Sequence, residues 1–202
     1  MKTKKFASII SFCIATIVAF LPFNFIIGSK AACFSYSSMS IPALGYQQSL
    51  VYVILYFFTK GLFSYSFPLL FFLHRLPIFF ATIALRYWDF KISVLLPLLA
   101  ILLFCVHPTG VQVFYYSWYW FIPMVIYFFG KDTIYCRALI ASFVAHAVGS
   151  VIWLYCGFIA PEVWTALMPL VIVERLIIAA GMIGFISLYN FIEDFCSHKV
   201  AV

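Results

Sequence analysis

The sequence predicts an all-α integral membrane protein, a single domain over residues 1–202 with about six crossing helices. Three observations predict this. Hydrophobic residues fill 66% of the 202 positions and charged ones 9%, against about 25% charged in a soluble domain. The mean hydropathy is +1.13, too apolar for a chain that must cover itself with a water-facing surface. The apolar residues also fall in long runs, not in the alternating segments of about ten residues that mark a membrane barrel.

Seven apolar stretches can be drawn, at 6–27, 46–63, 66–85, 92–106, 112–130, 138–160 and 164–192. The first, in MKTKKFASIISFCIATIVAFLPF, imitates a signal peptide. Its apolar run is about twice the usual length, and Lys30 stands where a cleavage site wants a small residue, so it reads as an uncleaved helix. Between it and the second stretch, residues 28–48 form the longest polar-leaning segment, read as an outer loop. A crossing takes about 17–25 apolar residues. The 46–63 stretch is short and carries Lys60, and 92–106 is shorter and contains Pro97. The other five are credible spans. No polar block is large enough for a second domain, and no internal repeat is present.

Cations set the topology, because cytoplasmic loops are enriched in Lys and Arg. Lys2, Lys4 and Lys5 place the N-terminus in the cytoplasm, Lys199 places the C-terminus there, and Lys131 and Arg137 bracket an inner loop. Two inner ends require an even number of crossings. Six follow if either 46–63 or 92–106 does not cross; the charges hardly separate these options, and seven remains open. The net charge of +6 is scattered singly at helix ends, not gathered into a basic stripe, so nucleic acid is not a partner. The six cysteines include no C-x-x-C pair, so no zinc or redox site is signalled.

Several charges fall inside the apolar stretches. Glu174 and Arg175 adjoin near the middle of the last one, His74 and Arg75 lie in FFLHRLPIFF, and His146 lies in FVAHAVGS. Such residues face the bundle interior, pair with one another or line a path. Neighbours on a helix point about 100° apart, so Glu174 and Arg175 are not expected to face each other, and Arg75 is the natural partner for Glu174. Arg175 then has no acid at its depth. That leaves a positive excess that an anionic or polar solute would answer. The other readings are an Arg75–Glu174 helix clamp in a non-transporting scaffold, and a proton-coupled carrier using Glu174 and His146. Arg175→Ala separates the first two: a binding site loses ligand, a clamp loses the fold.

Pro77 and Pro169 are expected to kink the helices that carry these charges. Small residues four apart mark close-packing faces at Ala15 and Ala19, at Ala141, Ala145 and Gly149, and at Ala180 and Gly184. The aromatic run FYYSWYWF, 114–121, is denser than interface anchoring requires, and reads either as rings that face a cavity or line a helix seam or as lipid-facing bulk. HPTGVQ, 107–112, reads as a turn, with His107 and Gln112 placed to contact a ligand at the membrane surface. Ser142 and His146 share a helix face, but no nucleophile motif, phosphate loop or metal-binding spacing accompanies them. No enzyme, catalytic residue, metal or cofactor is expected.

In size, sparse charge and long first outer loop the chain resembles the substrate-binding S-components of energy-coupling-factor vitamin transporters. Ala15-x-x-x-Ala19 resembles the small-residue motif by which those proteins dock their membrane partner. Pro42 through Gln48, followed by an apolar run, resembles the Pro…Gln entry to the second helix of the biotin-uptake branch. HPTGVQ resembles that branch's Gly-Pro-Thr-Gly-Gly-Tyr segment at Pro108, Thr109 and Gly110, while 92–106 has no counterpart. The resemblance implies a binder in a prokaryotic cytoplasmic membrane, without an ATP site of its own. It would work with a transmembrane coupling protein and ATPases, and take its solute beneath the 28–48 loop. Gln48, His74, Arg75, Gln112, His146, Glu174 and Arg175 are the candidate binding residues, and Ala15 and Ala19 the candidate docking residues.

Overall fold

The computed structural model describes residues 2–24, 33–62, 72–157 and 159–198. Its helices are α1 (Lys2–Val18), α2 (Ser37–Gln47), α3 (Leu50–Leu62), α4 (Leu76–Arg86), α5 (Leu96–Val106), α6 (Pro108–Gln112), α7 (Ile122–Phe129), α8 (Ile134–Cys156) and α9 (Pro161–His198). A π turn, Lys91–Leu95, leads into α5, and a 3-10 helix, Phe114–Phe121, leads into α7. Helices dominate, as composition predicts. The exception is a three-residue antiparallel pair, β1 (Pro22–Asn24) and β2 (Cys33–Ser35), with Phe23 opposite Phe34. Two helices, α8 and α9, are long and apolar enough to cross a bilayer; α1, α3, α4 and the 91–106 segment are apolar but shorter.

The largest departure from the sequence reading lies in residues 28–48. They were expected to form an outer loop over the solute. Residues 28–32, with Lys30, lie outside the described residues, but Ser37–Gln47 is a helix at the centre of the bundle. Its Ser40, Ile41, Ala43 and Leu44 are all 0% exposed. The serines and glycine that resembled a loop are packing residues. Ser40 Oγ donates to the Ala15 carbonyl at 3.4 Å, and Tyr189 OH donates to the Ser40 carbonyl at 3.3 Å. A Cβ on Gly45 would come within 2.7 Å of Val53 Cγ2 and overlap the Thr82 methyl, so α2 approaches α3 and α4 as only small residues permit.

Other boundaries shift for local reasons. α1 stops at Val18, not 27; Pro22, with no N–H to donate, opens β1 instead. Residues 25–27 and 66–71 lie outside the described residues, as does Lys199. Pro77 does not kink a helix: it occupies the first turn of α4, where a missing N–H costs nothing. His74 and Arg75 therefore sit in the turn before α4, not mid-helix. The 92–106 stretch is one helical segment from Lys91 to Val106, apolar but shorter than a crossing helix. Asp89 Oδ1 accepts from the amides of Lys91 and Ile92 at 2.8 and 3.2 Å, capping its start, and the π turn widens the ladder just before Pro97.

Contacts fix the direction of each element. Lys60 Nζ lies 3.6 Å from the Phe20 ring centroid, so α1 and α3 finish at one end. His74 packs on Trp153 and His107 on Tyr155, each pair 4.9 Å between ring centroids, which places 74, 107 and the finish of α8 at that same end. The opposite end is tied by arginines. Arg86 Nη1 donates to the carbonyls of Gly45 and Tyr46 at 2.7 and 3.0 Å. Arg137 donates to the Arg86 carbonyl and grips Asp132 with both arms, Nη2 to Oδ2 at 2.7 Å. That hydrogen bond holds the Asp132 carboxyl below its ordinary range. Gln47 Nε2 joins α9 through Asn190 Oδ1 at 2.5 Å.

Among the described residues these contacts run α1, α3, the 91–106 segment and α8 toward one end, and α2, α4, the 114–129 segment and α9 toward the other.

Arg86 places its cation on the open carbonyls at the end of α2, where the helix dipole is negative. Arg86→Ala should cost about 1.5–3 kcal/mol. Arg86→Lys should recover part of it, since one nitrogen, Nη1, serves both carbonyls and an ammonium keeps the charge there. Thermal unfolding in detergent measures both; an unchanged Arg86→Ala protein would mean that the brace carries no stability.

Candidate functional site

α8 and α9 are joined by a reciprocal pair of bonds. Ser142 Oγ donates to the Arg175 carbonyl at 2.8 Å, and Arg175 Nη1 donates to the Ser142 carbonyl at 3.5 Å. Arg175 Nη2 also meets Glu174 Oε2 at 3.4 Å. Glu174 is 8% exposed and Arg175 6%. The expected partner of Glu174 was Arg75. The observed one is its own neighbour, because a long guanidinium can fold back across the 100° between adjacent positions. No Arg75–Glu174 bridge forms among the described residues, so the clamp read from the sequence is replaced by a Ser142–Arg175 link between α8 and α9.

One turn beyond Ser142, His146 turns toward the 3-10 helix, its ring 5.5 Å from Tyr116 and 6.4 Å from Trp120. Tyr116 lies 4.9 Å from Trp164 of α9, and Phe104 of α5 lies 5.2 Å from Trp120 and 5.3 Å from Trp164. The result is an aromatic cluster of Phe104, Tyr116, Trp120, His146 and Trp164, with Arg175 in electrostatic reach of both His146 and Tyr116. In a 3-10 helix, positions three apart align. Tyr116 and Tyr119 therefore share the face toward α9, where Tyr119 OH donates to the Met168 carbonyl at 2.9 Å. Tyr115 OH meets Thr165 Oγ1, also at 2.9 Å. FYYSWYWF is both seam and surface: Tyr116, Ser117 and Trp120 are buried, and Phe114, Trp118 and Phe121 are exposed at alternating spacings of four and three.

The remaining candidates are elsewhere. His74 and Arg75 lie near Trp153, Tyr56 and Lys60, away from Glu174. Gln48 closes α2 at the arginine-braced end. Gln112 is exposed and donates to the Pro108 carbonyl at 3.0 Å. His107 caps α6, its Nδ1 accepting from Thr109 N at 3.2 Å, so HPTGVQ is a capped helical turn. Ala15 and Ala19, the expected docking face, are 0% and 1% exposed inside the chain's own bundle, filled by α2. Ala141 and Gly149 do serve close packing, Gly149 against Pro77, whereas Ala180 and Gly184 are bare. Tyr116, Trp120 and Trp164 were missed as site residues; the density of the aromatic run was a signal for the first two, and Trp164 lies outside it.

Among the described residues no group of His, Cys, Asp and Glu is arranged to hold a metal ion. Comparisons with protein-family models, with curated proteins and with solved structures give no match. The likeness to S-components therefore rests on the residues quoted for it.

Proposed function

We propose that the chain is a multi-pass integral membrane protein, with its N-terminus cytoplasmic, that binds and imports a small polar or anionic solute at His146, Glu174 and Arg175. The observation that carries the reading is the burial of a carboxylate–guanidinium pair beside an imidazole and an aromatic cluster. Ionic groups are costly to bury, and such groups within apolar helices mark solute paths more often than packing. The outer surface supports the membrane setting. Phe6, Ile17, Leu102, Val106, Phe129 and Phe191 are all more than half exposed, a surface suited to lipid and not to water. Arg86, Lys91, Lys131 and Arg137 gather at the end where α1 begins, which suits a cytoplasmic face.

The S-component likeness would supply a transmembrane coupling protein and ATPases as partners. Ala15 and Ala19 are not available to dock them, so any such surface is another. A second reading, a non-transporting scaffold, is favoured by the reciprocal Ser142–Arg175 bonds, which suffice as a helix link.

The test is the thermal stability of the detergent-purified chain against polar and carboxylated metabolites. A true ligand at a hundredfold excess over Kd adds about 2.7 kcal/mol. A shift for one compound that disappears in His146→Ala supports solute binding. A flat panel, with His146→Ala as stable as the parent, favours the scaffold.

A further inference from the structure

Two lysines stand in the open at the arginine-braced end. Lys91 begins the π turn that leads into α5, and Lys131 follows the end of α7; both are exposed. The 91–106 and 114–129 segments pack side by side, and aromatic rings join their ends. Phe90 lies 6.0 Å from Tyr127 and 6.3 Å from Phe128 between ring centroids, and Trp88 stacks on Tyr127 at 5.4 Å. Lys91 follows Phe90 directly, and Lys131 comes one turn after Phe128, so these rings bring the two lysine positions to one patch.

The patch carries a positive excess that the chain does not answer. Its cations are Arg86, Lys91, Lys131 and Arg137, and its carboxylates are Asp89 and Asp132. Both carboxylates are occupied, Asp89 by the amides of Lys91 and Ile92 and Asp132 by Arg137. The arginines are occupied too, Arg86 by the carbonyls of Gly45 and Tyr46 and Arg137 by Asp132 and the Arg86 carbonyl. Among the described residues neither lysine has an ion-pair partner. Away from the lysines, both segments turn apolar side chains outward: Leu95, Leu99 and Leu102 on one, Phe121, Val125 and Phe128 on the other, all exposed.

A cationic end above an apolar outer face complements a molecule with a negative head and apolar tails. Amphipathic rings such as Trp88 and Tyr127 belong at headgroup level, and basic groups on the cytoplasmic side attract anionic lipid. An acidic protein segment would answer the lysines but leave the apolar face beneath them uncovered. We propose that Lys91 and Lys131 hold the phosphate of an anionic phospholipid of the cytoplasmic leaflet, whose acyl chains lie along the outer faces of the 91–106 and 114–129 segments. The inference rests on the membrane setting and orientation proposed above and is independent of solute binding.

Phosphatidylglycerol and phosphatidylcholine are the probes, titrated onto the full chain in a neutral detergent, with bound lipid counted by native mass spectrometry. The expected result is that phosphatidylglycerol binds about twentyfold more tightly, and that Lys91→Gln and Lys131→Gln each remove about fivefold of that preference. Added salt should shrink it. Lys60→Gln, at the opposite end, should leave it unchanged. Both lysines are exposed, so the variants should melt with the parent in the absence of lipid; if the double variant fails to fold, the single ones carry the test. Equal binding of the two lipids overturns the inference while leaving the membrane setting intact. A preference that survives both substitutions overturns the site. A chain that does not float with phosphatidylcholine vesicles after reconstitution overturns the membrane setting and the inference with it.

Discussion

Arg175→Ala should destabilise the protein by about 3–5 kcal/mol, the cost of leaving a buried carboxylate without its cation. Glu174 is 8% exposed, and its ion pair is with Arg175, so among the described residues no second cation is placed to take over. The substitution also removes the guanidinium bond to Ser142, though the Ser142 hydroxyl keeps its bond to the backbone carbonyl at position 175. Arg175→Met with Glu174→Gln should be much less costly than the sum of the single changes, because the double variant buries no charge. A four-protein thermal cycle measures this. Additive losses would mean that the two groups are uncoupled and that the 3.4 Å contact carries no energy. The expected loss also changes what Arg175→Ala can reveal: a drop in folded protein follows from pairing alone, so it no longer separates binding site from clamp. His146→Ala makes that separation instead.

Gly110→Ala should be among the most damaging conservative changes in the chain. A Cβ there would overlap the Phe104 carbonyl oxygen and lie 2.9 Å from its carbon. These are backbone atoms in the last turn of α5, and no rotamer change relieves them. Phe104 is itself 0% exposed and packs on Tyr116, Trp120 and Trp164, so relief would move α6 away or push into the aromatic cluster. Overpacking typically costs about 1–3 kcal/mol and occasionally more; an unyielding backbone contact puts this at about 3 kcal/mol or above. Gly184→Ala is the matched control. A Cβ there meets nothing within 4 Å, and the helix gains up to about 1 kcal/mol in propensity. Equal melting temperatures for the two variants would show that the α5–α6 corner gives way easily.

The helical class was legible because composition speaks directly to it. The inner path of the chain was not. Ser37, Ser40, Pro42 and Gly45 carry the signature of a loop, and the same small residues are what a tightly packed central helix requires; only the neighbours decide between the two. Glu174, Arg175 and His146 were visible as charges out of place, and the structure brings them together. His74 and Arg75 were equally conspicuous but belong to another end, since Pro77 begins a helix where a kink was expected. Trp120 and Trp164 carried no charge to draw notice, and they come together only through tertiary packing of the 114–121 segment on α9.

The central position of α2 bears on how the chain is made. Eleven residues rise only about 16 Å, too short and too rich in serine to enter a bilayer unaided. Its walls come from α1 and α3, which flank it in the chain, from α4, and from Tyr189 of α9, which is made 149 residues after Ser40 of α2. Until then α2 has no home in lipid. A chain truncated before α9 would leave it stranded, a natural mark for quality-control proteolysis, and folding of the bundle has to wait for its final helix.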